Sequence, residues 1–353
     1  MRTEGLTSCR GGLRFHRCSA ARPRLPRGGG WCWRPATLPG EFAVTGLVDA
    51  HCHFTVDEDE DEEPFLSDRD FADGRIAQLA REGVTLLRDL GGCSEITLDY
   101  ARGPRPGLPL VLAAGRFHSS RERYFPRMYT PTDAEELDDS IRAEISAGAA
   151  WVKLITDFPH MVDGVPQPGT LGPTYDNETL ARAVETAHSA GARVAAHSTI
   201  AASALVAMGV DSLEHGNGLT EADLVALGER GGAWTPTISA MMGLAPPDAP
   251  PQYAAEVVAA GEHYRHHMPF ALRAGVTLMT GSDALTSVAE DVVTMVQYGL
   301  TPGEALDAAT VSARRFLGVE EGDDLVTYHT DPLADPSVLA SPAAVVLRGE
   351  RVL

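Results

Sequence analysis

The feature that most constrains the fold is a regular alternation of two kinds of segment from residue 43 onward. Short apolar runs bounded by turn residues are typical of buried strands. They alternate with longer segments in which apolar residues recur every three or four positions, as in amphipathic helices. Eight such units match the size of a (β/α)8 barrel, about 250 residues. The predicted strands are Ala43–Ala50, Val84–Leu90, Leu108–Ala114, Trp151–Ile155, Arg193–Ala196, Ser212–Glu214, Ala233–Pro236 and Val276–Thr280.

Alternation alone does not distinguish a barrel from a doubly wound open sheet, because both are built from strand–helix units. No GxGxxG or GxxxxGKS/T motif follows the first strand, and this argues against a nucleotide cofactor. The choice between the two topologies therefore depends on where the chemically reactive residues fall.

Charge and cysteine content limit the partners and the location of the protein. The 353 residues include 49 acidic and 29 basic side chains, for a formal net charge of -20, and such a chain repels phosphate backbones. The apolar runs are too short to span a membrane. Five cysteines without a CxxC pair indicate neither a disulfide framework nor a cysteine zinc site. We therefore expect a cytoplasmic protein that acts on a small molecule and binds neither nucleic acid nor membrane.

Composition divides the chain into three segments. Residues 1–40 hold eight arginines and one acid, are broken by glycine and proline, and lack the apolar core of a secretory signal. We expect this segment to be a poorly ordered leader. Residues 41–318 form the predicted barrel, and residues 319–353 have the pattern of short strands in an accessory β-sandwich.

Histidines, an aspartate and the only lysine of the chain lie in these strands or just after them. Because the carboxyl ends of barrel strands converge on one mouth, residues distant in sequence become neighbours there. His51 and His53 flank Cys52, and alternate strand residues point to the same side, so both imidazoles can hold one ion. Imidazole and carboxylate ligands suit zinc or a similar divalent metal. The candidate ligands are His51, His53, Lys153, His197, His215 and Asp283.

These residues resemble the site of the amidohydrolase superfamily of metal-dependent hydrolases. The segments GLVDAHCHF, GVTLLRDLGG, GAAWVKLITD, ARVAAHS, DSLEHG and GVTLMTGSDA are similar to its imidazolonepropionase-like and Xaa-Pro dipeptidase-like branch. The resemblance covers roughly residues 43–320 and the tail. It implies an α/β fold, a (β/α)8 TIM barrel with a small β-sandwich formed by both chain ends.

The resemblance is weakest at the chain ends. Residues 1–40 lack alternating strands, so the sandwich is expected to be incomplete. An incomplete sandwich leaves an edge that is exposed or completed by another chain. We therefore expect that the protein can form a homo-oligomer.

The resemblance also implies two metal ions. The two histidines of the HxH element and Asp283 would hold one ion, and His197 and His215 would hold the other. Lys153 would bridge the two ions as a carbamate formed with carbon dioxide. The chain uses arginine 28 times and lysine once, and that lysine lies in the fourth strand. Arginine cannot form a carbamate, because its guanidinium stays protonated.

A site with one metal ion is the alternative. In that site His51, His53, His197 and Asp283 would bind the ion. An unmodified lysine and His215 would then polarise the carbonyl of the substrate.

The activity implied by the resemblance is hydrolysis of an amide-type C–N bond by a metal-activated hydroxide. The substrate would be a dipeptide, an N-acyl amino acid or a cyclic amide. Asp283 is the expected proton shuttle to the leaving nitrogen, and His215 is expected to help stabilise the tetrahedral oxyanion. Two alternatives stay open. One is a deaminase or an ester, lactone or phosphotriester hydrolase on the same metal frame, and the other is a barrel without catalytic activity.

Loops at the mouth are expected to recognise the substrate. The long segment after the third strand supplies His118, Arg121 and Tyr124, while His160 and Tyr175 follow the strand that carries the lysine. An arginine there could clamp a substrate carboxylate with two hydrogen bonds, which suits dipeptides and N-acyl amino acids. The same arginines could equally balance the acidic surface.

Overall fold

The computed structural model describes most of the chain. Of the predicted leader, residues 1–37 lie outside the described part, and for residues 251–256 the backbone alone is described. No helix in the described part is long and apolar enough to cross a membrane. The described residues are 38–57, 64–243, 251–319 and 322–353.

Eight parallel strands form the centre of the fold, and each predicted strand overlaps one of them. They are β1 (Leu47–Cys52), β2 (Val84–Asp89), β3 (in two segments, Leu110–Ala113 and Phe117–His118), β4 (Trp151–Ile155), β5 (Arg193–Ser198), β6 (Ser212–His215), β7 (Ala233–Thr235) and β8 (Thr277–Leu278). The first segment of β3 pairs with β2 and the second with β4. The strands therefore form a three-stranded sheet from β1 to β3 and a six-stranded sheet from β3 to β8.

Hydrogen bonds cross both junctions between the two sheets. Beside β1 and β8, the Ala50 N–H donates to the Thr280 carbonyl at 2.9 Å. Beside β3 and β4, the Ala150 N–H donates to the Ala113 carbonyl at 3.1 Å. The result is a TIM-barrel-like α/β fold, in which the carboxyl ends of the parallel strands lie together.

Helices connect the strands, and polar side chains fix where several of them begin. The helices are α1 (Arg69–Arg81), α2 (Ser94–Ala101), α3 (Leu137–Ala147), α4 (Asn177–Ser189), α5 (Ala202–Met208), α6 (Glu221–Glu229), α7 (Ile238–Gly243), α8 (Pro251–Arg273), α9 (Val288–Gln297), α10 (Pro302–Ala308) and α11 (Val311–Leu317). Asp176 accepts a hydrogen bond from the Thr179 N–H and begins α4. Thr220, Ser287 and Thr301 form capping boxes at α6, α9 and α10.

Two hydrophobic clusters hold the layers together. The smaller cluster includes Val48, Leu86, Trp151 and Ala195, which come from strands far apart in sheet order, so it fills the space enclosed by the curved sheets. The larger cluster joins the strands to the surrounding helices. Cys52 belongs to the larger cluster, so its thiol faces the helices, as the alternation of the strand predicts.

The chain ends form one four-stranded antiparallel sheet. Phe42–Val44 pairs with Leu325–Tyr328, which pairs with Ala344–Leu347, and that strand pairs with Glu350–Arg351. The N-terminal partner of the tail thus comes from residues just beyond the predicted leader. In the described part of the chain, this element is a single sheet.

The prediction of one continuous strand over Ala43–Ala50 is wrong. The chain turns at Gly46 and divides this segment between the chain-end sheet and β1. Gly46 has a φ of 90°, and a Cβ at this position would collide with the side chain of Thr85. Only glycine can take both the left-handed backbone and the close approach.

Two short hairpin-like pairs extend the mouth beyond β4. Asp157–Phe158 pairs with Gly172–Pro173, and Met161–Val162 pairs with Val165–Pro166. We refer to the second pair as the β4 hairpin. The Met161 N–H donates to the Glu122 carbonyl at 2.9 Å, which attaches this hairpin to the loop after β3.

Candidate metal centre

Three side chains of the kind that bind metals meet at the carboxyl ends of β1 and β8. The Asp283 N–H donates to the His51 carbonyl at 2.9 Å and joins the two segments. His51 Nε2 lies 3.2 Å from His53 Nε2, and Asp283 Oδ1 lies 3.2 Å and 3.4 Å from these two nitrogens. One ligand atom from each residue lies within 4.8 Å of the others. Two imidazoles and a carboxylate form a donor set that fits zinc.

The second ring nitrogen of His53 is held by an acceptor, and that of His51 faces a carboxylate oxygen. His53 Nδ1 lies 2.8 Å from the Gly91 carbonyl, and because a carbonyl only accepts, Nδ1 carries the proton. His51 Nδ1 lies 2.9 Å from Glu214 Oε2, a carboxylate oxygen that also only accepts. In His53 the lone pair is therefore on Nε2, which faces the other ligands. In His51 a metal bound at Nε2 would leave the ring proton on Nδ1, toward Glu214. Metal-binding histidines are commonly oriented in this way.

The remaining predicted ligands lie beside this group. Lys153 Nζ is 3.2 Å from His51 Nε2. The His215 ring centroid is 5.0 Å from that of His51 and 4.5 Å from that of His197, and His215 Nδ1 is 3.9 Å from Asp283 Oδ2. The structure thus brings the six predicted ligands together, and we refer to them as the ligand cluster.

Thr237 fixes the tautomer of His215. The Thr237 hydroxyl donates to the Pro236 carbonyl at 2.8 Å, and its oxygen also lies 2.8 Å from His215 Nδ1. A hydroxyl has one proton, so Thr237 accepts from His215, and Nδ1 carries the proton of the neutral ring. The lone pair of His215 is therefore on Nε2, as in His53.

Three residues at this site have a left-handed backbone conformation. His215, Thr237 and Asp283 have φ values of 64°, 45° and 51°. Such values are uncommon for residues other than glycine, and strain of this kind clusters at functional sites. In a regular strand, Glu214 and His215 would point to opposite faces. The left-handed turn at His215 lets both side chains lie against His51.

Burial and neighbouring charges set the protonation states of the ligand cluster. Burial lowers the pKa of His51 and of His197 to about 4, and lowers the pKa of His215 well below its usual value. Burial raises the pKa of Asp283, but His51 and His215 outweigh it and hold that pKa well below its ordinary range. Burial lowers the pKa of Lys153 to about 8. At pH 7, His51, His197 and His215 are therefore neutral and Asp283 is ionised, as metal binding requires.

A cleft opens next to the ligand cluster. The loop after β3 and the β4 hairpin enclose about 410 Å³. The ring of Tyr124, which lines the cleft, lies 5.0 Å from those of Phe117 and Phe158. Those two rings lie 5.0 Å from His53 and 5.8 Å from His197, respectively. One layer of aromatic rings therefore separates the cleft from the ligand cluster.

Three of the predicted substrate contacts lie at or near this cleft. Arg121 and Tyr124 line it, and Arg121 makes no ion pair within the described residues. His160 is half-buried, and its Nε2 lies 3.0 Å from Glu122 Oε2 of the cleft wall. Among the described residues, Arg121 therefore has no acidic partner, whereas His160 lies beside an acid of the protein.

His118 and Tyr175 do not face the cleft, contrary to the expectation from the sequence. His118 is fully buried, and its Nδ1 lies 3.5 Å from Ser140 Oγ of α3. Phe117 faces the ligand cluster, so the next residue along the strand faces the helices. The Tyr175 hydroxyl donates to the Thr132 carbonyl at 2.8 Å, and its ring belongs to the larger hydrophobic cluster. Neither residue is part of the proposed substrate site.

The sequence prediction missed three residues that support the site, namely Arg88, Glu214 and Thr237. Arg88 and Glu214 are fully buried charges inside apolar strands. A charged residue inside an apolar strand could have identified both from the sequence, since a buried charge requires a partner. Thr237 carries no such signal, because a threonine after a strand is ordinary.

The fold and the site together define a TIM-barrel-like protein of the metal-dependent hydrolase type. The model of the amidohydrolase family matches residues 42–323, and the chain belongs to this family. Among its relatives are the uncharacterized proteins Rv2915c of Mycobacterium tuberculosis and Mb2939c of Mycobacterium bovis. Each is 34% identical over 332 residues, covering 88% of this chain and 85% of the relative.

Solved structures with a similar fold include several hydrolases. A Xaa-Pro dipeptidase with bound methionine has a TM-score of 0.71 at 22% identity, covering 88% of this chain and 86% of that one. Ochratoxinase of A. niger has a TM-score of 0.71 at 21% identity, covering 88% and 83%. A prolidase complexed with N-methylphosphonate-L-proline has a TM-score of 0.69 at 22% identity, covering 90% of each chain. At these identities the likeness shows the fold, and family membership supports a metal-dependent hydrolase.

Proposed function

We propose that the protein hydrolyses an amide-type C–N bond of a small molecule, with a divalent metal, zinc or a similar ion, held by His51, His53 and Asp283. The substrate class is a dipeptide, an N-acyl amino acid or a cyclic amide. The observation that carries the proposal is the convergence of these three side chains within 4.8 Å at the ends of β1 and β8. The dipeptidase and prolidase among the structural neighbours favour this bond class over others.

The residues of the ligand cluster suit such a reaction. A divalent metal in this position would polarise a carbonyl and lower the pKa of a water molecule. Asp283 is ionised at neutral pH, so it accepts the proton that an attacking water loses and passes it to the leaving nitrogen. His215 lies beside this carboxylate, with its Nδ1 3.9 Å from Asp283 Oδ2.

We propose two metal ions, with His197 and His215 holding the second and Lys153 bridging as a carbamate made from carbon dioxide. The tautomer of His215 supports this proposal over the site with one ion. A lone pair on Nε2 can bind a metal, whereas polarising a carbonyl requires an N–H at that position. The Lys153 amine lies 3.2 Å from His51 Nε2, within reach of the first group of ligands, which supports a role for it in the site.

The lining of the cleft suggests which groups of the substrate bind there. Its lining includes Tyr124, Tyr129 and Met161, together with Arg121, which makes no ion pair with any described residue. We propose that an apolar group of the substrate packs against the two tyrosines. A carboxylate of the substrate then pairs with Arg121.

The Arg121→Gln variant is expected to raise KM roughly 10- to 100-fold for substrates with a free carboxylate, since it removes a charged hydrogen bond. The kcat value should change little, because Arg121 lies away from the ligand cluster. Substrates in which the carboxylate is amidated should show no such change. Steady-state kinetics on each carboxylate–amide pair measures this, with Arg102→Gln, outside the cleft, as the control. An equal rise in KM for both members of a pair would contradict the role.

The proposed reaction is tested by identifying products. Purified protein is incubated with dipeptides, N-acyl amino acids and cyclic amides, before and after removal of metal with a chelator. We expect release of a carboxylate and an amine that stops on chelation and resumes when zinc is added. Release of ammonia or of an alcohol would instead assign a deaminase or an ester-type hydrolase. No turnover of any substrate by the metal-loaded protein would favour a barrel without catalytic activity.

We also propose how the chain is divided. Residues 41–318, apart from the strand Phe42–Val44, would close as a (β/α)8 barrel around the smaller hydrophobic cluster. Residues 319–353 and the strand Phe42–Val44 would form the accessory β-structure, and the edges of that sheet leave room for a second copy of the chain.

A further inference from the structure

Arg88 and Glu214 form an ion pair enclosed by the parallel strands. Arg88 Nη2 donates to Glu214 Oε1 at 3.0 Å, and both side chains are fully buried. The Arg88 Nε donates to the Ala50 carbonyl at 2.6 Å, and Nη1 donates to Ser212 Oγ at 2.9 Å. The Ser212 hydroxyl in turn donates to Glu214 Oε1 at 2.6 Å. This oxygen of Glu214 therefore has two donors that hold it in place.

The other carboxylate oxygen of Glu214 reaches the ligand cluster. Glu214 Oε2 lies 2.9 Å from His51 Nδ1. Because Arg88 and Ser212 fix Oε1, the carboxylate cannot rotate away from the imidazole. On the far side of the ring, His51 Nε2 lies 3.2 Å from both His53 Nε2 and Asp283 Oδ1.

We propose that the Arg88–Glu214 pair holds His51 in the tautomer that carries its proton on Nδ1, so that the lone pair on Nε2 binds the metal. This inference rests on the proposed metal-dependent function. Glu214 acts through His51 and is a positioning residue. A buried ion pair is seldom more stabilising than apolar side chains of the same size, so a role in fixing geometry accounts for its presence here.

The Glu214→Gln variant tests the inference because an amide has one acceptor and one donor group. Arg88 and Ser212 both donate, so they require the amide oxygen on their side. The NH2 group then faces His51 Nδ1 and donates to it, which moves the proton of the ring to Nε2. We expect zinc to dissociate roughly 10- to 100-fold more readily from this variant.

A double variant separates positioning from a merely structural role. In Arg88→Met with Glu214→Gln, the cationic donor is gone, and Ser212 can accept from the amide NH2. The amide oxygen can then turn toward His51 and restore the proton to Nδ1. We expect the double variant to bind zinc more tightly than Glu214→Gln alone. Weaker binding by the double variant would mean that the pair only supports the fold.

The measurement is zinc affinity by competition with a chromophoric chelator, with thermal unfolding recorded for each variant. Glu144→Gln is the matched control, because Glu144 is also buried and bonded to an arginine and a serine but touches no ligand. It should bind zinc like the wild type. If the wild type binds no zinc, the proposed function fails. If Glu214→Gln binds zinc as tightly as the wild type, the positioning inference alone fails.

The native protein provides a test that does not depend on the folding of variants. In metal-free protein labelled with ¹⁵N-histidine, the side-chain spectrum reports which nitrogen of His51 carries the proton. We expect protonation at Nδ1 and a free lone pair at Nε2. The opposite tautomer would overturn the inference.

Discussion

The Asp283→Asn variant is expected to lose about a thousand-fold in kcat while it retains bound metal, because general acid–base groups contribute 10²- to 10⁴-fold. Asparagine keeps an oxygen at the position that lies 3.2 Å from His51 Nε2 and 3.4 Å from His53 Nε2. It cannot accept and release a proton at neutral pH. The measurement combines steady-state kinetics with the metal content of the purified variant.

Asp70→Asn provides the control for this substitution, since Asp70 is exposed in the first turn of α1. It should have the kinetics of the wild type. Unchanged turnover in Asp283→Asn would exclude the role of Asp283 as a proton shuttle. Loss of metal together with turnover would make Asp283 only a ligand.

The Lys153→Arg variant is expected to bind one metal ion where the wild type binds two. Its kcat should fall by at least roughly 100-fold, the order of loss seen when a charge-stabilising group is removed. Arginine keeps a positive charge at this buried position of β4, but its guanidinium cannot add carbon dioxide. Metal analysis and kinetics of the variant measure both effects.

A Lys153→Ala variant distinguishes loss of a ligand from distortion by the larger side chain. Added formate or acetate can supply the missing carboxylate oxygens in the space that the lysine leaves. We expect such anions to restore part of the second metal and part of the activity. Two ions bound by Lys153→Arg, with full activity, would contradict the carbamate.

Much of the fold could be predicted from the sequence because buried parallel strands and amphipathic helices have different hydrophobic periods. The residues at which the strands begin and end could not be predicted in this way. The break at Gly46 depends on a contact with Thr85, which belongs to the neighbouring strand. The division of β3 into two segments depends on its pairing with β2 on one side and β4 on the other.

The convergence of the candidate ligands could be predicted because histidines at strand ends come together in a barrel. The residues that support the candidate ligands could not be predicted in this way. His215 lies beside His51, on the same face as Glu214, only because the backbone turns at His215, and this turn has no signature in the sequence. His118 was predicted to contact the substrate, but its side chain lies on the outer face of the strand. Successive residues of a strand point to opposite faces, and Phe117 takes the inner one.

The most direct test of a metal-dependent hydrolase is the metal content of the wild-type protein, measured by elemental analysis after purification with zinc and bicarbonate. We expect two zinc ions per chain. Removing them with a chelator should abolish the activity, and zinc should restore it. A protein that binds no divalent metal under these conditions, or that hydrolyses its substrate equally well without metal, would contradict the proposed function.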